Sequence, residues 1–304
     1  MTSSHGSDTS EGVSTRRSAA VEPSTAGVDE SIDIVYVSYQ RPVFTRLSLD
    51  RLLSTCDQSM RVWLWHNGDQ EETLRLVRTY RRHPRVHRFH HERVNTGLKG
   101  LAKPINWILE EGTARYVSKV DDDCLVRPDW AKVLRSAHAD IERLGAVGCW
   151  RFRPEDFQPR LAEPKIEAFR GGHWLLRNCW IEGTGFLMKR ECYEDVGPIP
   201  RGMGFTTYCV HLAAAGWLNG WYYPFVHQEH MDDPRSPYWT PPELQTFDPA
   251  LTRFRTVAAG TTEVKRVRNI RRRAARINEA SIDPMAHLAL NMRLRKRLRA
   301  SFAT

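Results

Sequence analysis

Three consecutive carboxylates stand at residues 121 to 123, in the stretch RYVSKVDDDCLVRPDW. They directly follow the alternating apolar run YVSKV, which is typical of a β-strand. Like charges at this spacing raise one another's pKa, so Asp121, Asp122 and Asp123 are costly together unless a cation or solvent offsets them. Mg²⁺ or Mn²⁺, bound through carboxylate oxygens and completed by substrate phosphates, would do so. A solvated turn or helix cap before Pro128 is the alternative.

A second polar stretch, HQEHMDD, covers residues 227 to 233 and follows the predicted strand LNGWYYPF. His227 or His230 would supply an imidazole ligand to the same cation if this strand lies in the same sheet. Asp232 and Asp233 add two further carboxylates. The alternative is a polar surface loop, which is where most such histidines occur.

Alternating β-rich and helical segments position these groups. The predicted strands cover residues 32–39, 61–67, 85–91, 115–120, 146–150 and 218–225, and the predicted helices cover 42–56, 69–82, 98–112, 129–144 and 205–216. Repeated strand-helix units predict a mostly parallel sheet flanked by helices, because parallel strands need crossover connections. Ligands of such sheets bind beyond the carboxyl ends of the strands, and the acid triplet falls at one of those ends.

The two ends of the 304-residue chain differ in composition from its middle. Residues 1–30 are rich in Ser, Thr and Gly with almost no large apolar side chains, which predicts a disordered tail. We expect the main folded domain at 31–245 and a basic, partly helical extension at 246–304. From Glu263 onward the chain has twelve Lys or Arg and three acids, so this segment accounts for the whole net charge of +9.

The basic extension contains an amphipathic pattern, EVKRVRNIRRRAARINEA, at residues 263 to 280. Apolar residues recur there at spacings of three and four, as in one stripe of a helix: Val264, Val267, Ile270, Ala274 and Ile277. This helix is expected to dock on the catalytic domain or to lie on an anionic membrane surface. Nucleic-acid binding is not expected, because Phe302 is the only aromatic residue after 262.

The location of the protein follows from what the sequence lacks. No apolar run follows the arginine pair at 16–17, so an export signal is not expected, and no stretch of eighteen apolar residues predicts a spanning helix. The six cysteines show no CxxC spacing, which is typical of reduced thiols and argues against a zinc finger. We therefore expect a cytoplasmic protein, with peripheral contact at the inner membrane face if the basic helix binds lipid.

Five stretches carry a resemblance to a known family. VSYQRP, HNGDQEET, RVNTGLKGLAKPIN, YVSKVDDDCLVRPDW and GTGFLMKRECYEDVG follow one another in the order and spacing of family 2 glycosyltransferases, which transfer sugars from nucleotide-sugar donors. The resemblance runs from about Ile32 to about His230, and the stretch from Asn95 through the acid triplet is its most specific part. It implies the GT-A fold, a Rossmann-like α/β sheet.

The resemblance also implies roles for individual residues. Asp121 is expected near the nucleotide's ribose and the metal, Asp123 on the metal at the diphosphate, and Asp122 assisting. His230, or else His227, would complete the shell of Mn²⁺ or Mg²⁺. The residues expected to line the nucleotide site are Val37, Ser38, Tyr39, His66, Asn67, Asn95, Gly97 and Lys103.

Two departures from the family pattern concern the donor and the base. His66 and Asn67 stand where the family usually has an acid that reads uracil, so a uridine donor does not follow. Gly204 and Phe205 stand near the usual Glu-Asp pair that supplies the base of inverting members. An inverting reaction needs a base beside the acceptor hydroxyl, and Glu182 in WIEGTGF is the first candidate, followed by Asp232 and Asp233. A retaining reaction stays open.

The function that follows is metal-dependent transfer of a sugar from a nucleotide-sugar donor to an acceptor hydroxyl. The acceptor would be a glycan, a lipid-linked saccharide or a small natural product. A sugar-phosphate nucleotidyltransferase would need a glycine-rich phosphate loop after its first strand, and VSYQRPVFT contains no glycine. A non-catalytic membrane- or nucleic-acid-binding protein on the same fold is the remaining alternative.

Overall fold

A computed structural model describes residues 30–95, 100, 102–239 and 262–289. The predicted N-terminal tail and much of the predicted basic extension therefore lie outside the described residues. Within them, the mixed α/β architecture with a large, mostly parallel central sheet is confirmed. None of the described helices has the length and apolar composition needed to cross a membrane.

The central sheet has nine strands in the order β3-β2-β1-β4-β9-β6-β10-β8-β7. A separate two-stranded sheet pairs β5 with β11. The strands are β1 Ile32–Ser38, β2 Met60–Asn67, β3 Val86–Glu92, β4 Tyr116–Asp121, β5 Cys124–Leu125, β6 Leu144–Gly148, β7 Ile166–Ala168, β8 Trp174–Arg177, β9 Phe186–Lys189, β10 Leu218–Tyr223 and β11 Glu229–His230.

The parallel half of the sheet is the part that sequence periodicity predicts. Strand β1 pairs in parallel with both β2 and β4, and β2 pairs in parallel with β3. Strand β9 is inserted antiparallel between β4 and β6, and β8 runs antiparallel to β10. The carboxyl ends of β1, β2 and β4 therefore lie side by side.

Helices cover both faces of the sheet. They are α1 Pro42–Thr55, α2 Glu71–Thr79, α3 Lys103–Glu111, α4 Trp130–Asp140, α5 Pro159–Ala162, α6 Glu191–Val196, α7 Phe205–Ala214 and α8 Glu263–Glu279. The predicted helix 129–144 ends earlier, at Asp140, because Leu144 already belongs to β6 and pairs with Leu218 of β10.

Side chains alternate between the two faces along β1, as the pleat requires. Ile32, Ile34 and Tyr36 pack into the core beneath α1 and α4, whereas Val35 packs into the core beneath α3 and α7. Both layers are fully buried, which explains why β1 is apolar at nearly every position rather than at every second one.

Helix α8 docks on the second of these cores. Ala274 and Ile277 are completely buried there, and Ile270 packs against the same cluster. Thr262 caps the helix at its start, and Lys165 donates to the carbonyl of Ile277 near its end. Part of the predicted apolar stripe thus contacts the domain, while Val264 at the first turn stays exposed.

Candidate active site

The first acid of the triplet, Asp121, ends strand β4 and lies beside the GTG turn that precedes β9. Its backbone N–H donates to Oγ1 of Thr184 at 3.0 Å, and its carboxylate lies 2.5 Å from Nζ of Lys119. Lys119 also donates to the carbonyl of Gly183. Gly185 has a φ of +60°, and a Cβ there would lie 1.7 Å from Oε1 of Gln228, so the turn needs glycine at this position.

The second acid, Asp122, is held by the loop that follows β1. The backbone N–H of Tyr39 donates to Oδ2 of Asp122 at 2.9 Å, and the Arg41 guanidinium donates to Oδ1. The backbone N–H of Asp122 in turn donates to the carbonyl of Val37. Burial raises the pKa of Asp122 to about 7, against the opposing effect of Arg41. Asp122 therefore connects the acid triplet to the predicted base pocket.

The third acid, Asp123, lies beside His230 because the strand that follows Asp123 pairs with the strand that contains His230. Strand β5 pairs antiparallel with β11, which sets Cys124 opposite His230, and the backbone N–H of Met231 donates to the carbonyl of Asp123. As a result, one ligand atom each from Asp123, His230 and Asp232 lie within 4.8 Å of one another. Asp123 and Asp232 are buried.

Arg41 is the cation that these acids share. Its Nη2 atom lies 3.4 Å from Asp123 and its Nη1 atom 2.9 Å from Asp232, in addition to its bond with Asp122. Burial opposes ionisation of Asp123, but neighbouring His230 and Arg41 outweigh it and hold the pKa of Asp123 well below its usual range. The repulsion among the carboxylates of the triplet is therefore relieved in part by a cationic side chain of the protein itself.

The same group fits a divalent cation. Two carboxylates and an imidazole are ligands that Mn²⁺ accepts, and Mg²⁺ is commonly held by one or two carboxylates with water and phosphate oxygens. The Oδ1 atom of Asp232 is buried and has no hydrogen-bond partner among the described residues. Asp121 and His227 lie outside this group. The carboxylate of Asp121 pairs with Lys119, and the backbone of His227 forms an isolated β-bridge with Trp150.

The predicted base pocket lies where β1 and β2 end. Ser38 is in register with His66, and its Oγ atom lies 2.9 Å from Nδ1 of that histidine. Burial lowers the pKa of His66 to about 4, so the ring is neutral at pH 7. Its Nε2 atom is buried with no hydrogen-bond partner in the described part of the chain, which leaves one ring nitrogen for a ligand.

The other residues predicted to contact the nucleotide lie at the end of β2, after β3 and at the start of α3. Asn67 accepts a hydrogen bond from Nε1 of Trp65, and Lys103 begins α3 and pairs with Glu92. Asn95 follows β3, and Gly97 lies outside the described residues.

Glu182, the first candidate for a base, is buried and paired on both sides. Nη2 of Arg151 lies 3.1 Å from its Oε2 atom, and Nε of Arg273 donates to its Oε1 atom at 2.7 Å. Although burial raises it, these two arginines hold the pKa of Glu182 below its usual value. Arg151 also contacts Nε2 of His230 at 2.8 Å. Glu182 is therefore linked to the candidate metal ligands through one side chain.

The two other candidates for a base have different surroundings. Asp232 contacts Arg266 of α8 as well as Arg41. Asp233 is buried and binds Arg235, which also binds Asp156. Asp233 thus belongs to a network that connects the segment after β11 to the domain. Asp232 belongs to the candidate metal group.

Sequence reasoning missed the arginines and Gln40. Gln40 has a φ of +54°, and both polar atoms of its buried amide lack hydrogen-bond partners within the described ranges. The position of Gln40 and Arg41 directly after a central parallel strand was a signal for both. Arg151, Arg266 and Arg273 gave no such signal, because they reach the site from segments that only the fold brings near.

Comparison with known proteins identifies the family of the chain. A family model described as glycosyl transferase family 2 matches residues 33–197, more than half of the chain. The fold and this match define a glycosyltransferase of the GT-A type. The chain belongs to glycosyl transferase family 2, and His230, Asp232 and α8 lie beyond the matched residues.

A solved structure of a mannosyltransferase supports the fold. The chain is similar to the mannosyltransferase PcManGT from Pyrobaculum calidifontis, solved with GDP-Man and Mn²⁺, with 20% identity, a TM-score of 0.53, and coverage of 90% of this chain and 84% of that one. It is also similar to residues 1–349 of S. aureus TarS, with 13% identity, a TM-score of 0.47 and coverage of 66% and 60% respectively. No curated protein matches the chain in sequence.

Proposed function

We propose that this glycosyltransferase is metal-dependent and transfers a sugar from a nucleotide-sugar donor to an acceptor hydroxyl, with the catalytic domain at residues 31–245. The observation that carries the proposal is the group of Asp123, His230 and Asp232 at the carboxyl edge of the sheet. The mannosyltransferase with the similar fold was solved with a sugar nucleotide and Mn²⁺, which supports this choice of ligands.

The nucleotide is proposed to lie across the ends of β1, β2 and β4. The base would lie against Val37, Ser38 and Tyr39, with His66 and Gln40 offering buried polar atoms to its edge. Because His66 is neutral at pH 7, it recognises a base by hydrogen bonding and not by charge. The ribose would reach Asp121, whose carboxylate is the least buried of the triplet.

The diphosphate is proposed to lie at Asp123, His230 and Asp232. A divalent cation bound there supplies electrophilic stabilisation of the negative charge that develops on the leaving nucleoside diphosphate. Arg41 holds the carboxylates of Asp123 and Asp232 in place from the protein side, and Asp122 holds Arg41. Removing the metal is expected to abolish transfer more completely than donor binding.

Glu182 is proposed as the proton acceptor if the reaction inverts configuration. It is joined to the candidate metal group through Arg151 and to α8 through Arg273 without being a member of that group. Asp232 is already used in the metal group, and Asp233 is committed to Arg235. The acceptor is therefore expected between Glu182 and α8.

Thermal unfolding of the pure protein with a panel of UDP-, GDP- and dTDP-sugars tests this proposal. One sugar nucleotide is expected to raise the midpoint more when Mn²⁺ or Mg²⁺ is present than without metal, because a ligand that binds the native state more tightly stabilises it more. His230→Gln should abolish the metal-linked rise, whereas the matched control His227→Gln should keep it. A rise that is equal with and without metal, or equal in both variants, would refute the assigned metal group.

A further inference from the structure

A cationic cleft lies between α8 and the start of α7, next to Glu182. It has a volume of about 570 Å³ and is lined by Trp180, Thr206, Asn269, Arg272, Arg273 and Arg276. The four α8 residues occupy positions i, i+3, i+4 and i+7, counted from Asn269, so they share one face of the helix. These four residues are exposed, and they border the buried face of α8 that contains Ala274, Ile277 and Asn278.

The charge of the cleft is not balanced by the described part of the chain. Arg273 pairs with Glu182, but neither Arg272 nor Arg276 has a carboxylate partner among residues 30–95, 100, 102–239 and 262–289. Elsewhere on the helix, Arg266 is paired with buried Asp232 and Arg271 with buried Asp156. Of the α8 arginines without a carboxylate partner in the described part of the chain, Arg272 and Arg276 line the cleft and Arg268 lies outside it.

Trp180 gives the cleft an apolar wall beside these charges. The ring is half-buried and meets Trp221 edge to face, with the ring centroids 5.8 Å apart. An indole plane held in this way offers a surface on which a sugar ring can pack. Arginine forks match the oxygens of a phosphate in geometry and charge. Together these side chains suit a sugar that carries a phosphate.

Direct contacts connect the cleft to the candidate metal group. Arg273 lines the cleft and donates to Glu182, Arg151 contacts the other oxygen of Glu182, and Arg151 also contacts His230. An acceptor in the cleft would therefore present a hydroxyl near the proposed base and close to the donor. A cationic helix face that only contacted solvent would not need these contacts to the proposed base and the candidate metal group.

We propose that this cleft binds the acceptor, and that the acceptor is a saccharide carrying a phosphate group, whose oxygens contact Arg272 and Arg276 while its sugar packs on Trp180. The inference rests on the proposed function, since it names the acceptor class of the same reaction. The phosphate belongs either to a soluble saccharide or to a lipid-linked one, and the chemistry of recognition is the same in both.

Calorimetric titration of the full-length protein with glucose 6-phosphate, glucose and inorganic phosphate tests the proposal. Glucose 6-phosphate is expected to bind more tightly than either of the other two. The double variant Arg272→Gln/Arg276→Gln should weaken it about tenfold or more, because it loses two charged hydrogen-bond donors. The control Arg82→Gln/Arg268→Gln removes the same charge from exposed positions outside the cleft and should bind as the wild type does.

A second arm identifies the source of the phosphate. Sedimentation with vesicles of phosphatidylcholine containing phosphatidylglycerol should depend on Arg272 and Arg276 if the phosphate is lipid-linked, and a loss in the cleft variant alone would support the proposal. Equal binding of all probes by the wild type, or equal loss in both double variants, would overturn it. If the cleft variant instead loses sugar-nucleotide binding and keeps glucose 6-phosphate, the cleft is a donor site and the proposal is wrong, whereas the proposed function stands.

Discussion

The Nη1 atom of Arg41 lies 2.9 Å from Oδ2 of Asp232, and both side chains are buried. The same guanidinium binds Asp122 and approaches Asp123, so one arginine connects the strand that ends in the acid triplet with the loop that brings His230. Charge balance in this site is thus a property of three separate segments. The sequence of one motif alone does not show this charge balance.

Arg41→Met is expected to lower the free energy of unfolding by about 3 to 5 kcal/mol, because it leaves buried carboxylates without their partner. Urea unfolding of the purified variant measures this. Mn²⁺ should restore part of the loss, since it would replace the missing positive charge. Arg75→Met, which removes an exposed ion pair, should change stability by less than about 1 kcal/mol. A similarly small loss for Arg41→Met would contradict the assigned charge balance.

His66→Asn is expected to reduce the loss of stability on acidification. The folded pKa of His66, about 4, lies below the unfolded value of about 6.5. The unfolded chain therefore binds the extra proton first, and native stability falls as the pH drops from about 6.5 toward 4. Between pH 7 and pH 5 this histidine should account for about 2 kcal/mol, at about 1.4 kcal/mol per pH unit.

Urea unfolding of wild type and His66→Asn at pH 7 and pH 5 checks this sign. The variant should lose less stability between the two values than the wild type does. An equal or larger loss in the variant would show that His66 takes up its proton in the folded protein.

Arg273→Gln is expected to move the acidic limb of the kcat/KM profile to higher pH. The Arg273 guanidinium lowers the pKa of Glu182, so its removal raises the pH needed to keep the proposed base ionised. The shift should be about 0.2 to 0.7 pH units, because the Arg273 side chain is half-exposed and solvent screens its charge, as in surface ion pairs worth about 0.2 to 1 kcal/mol. Arg268→Gln is the control on the same helix. A limb that moves to lower pH, or equally in both variants, would remove Glu182 from the reaction.

Ile277→Ala is expected to destabilise the protein by about 2 to 4 kcal/mol, because the side chain of Ile277 is fully buried in the core. Val264→Ala, at the exposed start of the same helix, should have little effect. Thermal and urea unfolding distinguish the two. Equal small effects would mean that α8 is not an integral part of the fold in solution.

The sequence predicts the parallel half of the fold because its signals are local. Strand β1 is mostly apolar and is followed three residues later by Pro42 at the first helical position, so strand and helix are both recognisable. Strand β9 is different. Its position between β4 and β6 depends on pairing with strands far away in the chain, and the four residues Phe186–Lys189 carry no local sign of direction.

The site follows the same division. Asp121, Asp122 and Asp123 are recognisable because a strand ends there, and His230 because a strand precedes it. Arg151, Arg266 and Arg273 are recognisable only as basic residues, because nothing in their neighbouring sequence shows which acid each one meets. Asp121 lies apart from the candidate metal group, and its carboxylate pairs with Lys119, which its neighbouring sequence likewise does not show.

Calorimetric titration of sugar nucleotide into the protein, with and without Mn²⁺, tests the central claim most directly. The wild type and the exposed-site control Asp129→Asn should bind one sugar nucleotide in a Mn²⁺-dependent manner, and Asp123→Asn should lose the Mn²⁺ dependence. If Asp123→Asn binds with the same affinity and the same dependence on Mn²⁺ as the wild type, Asp123 is not a metal ligand and the account is wrong.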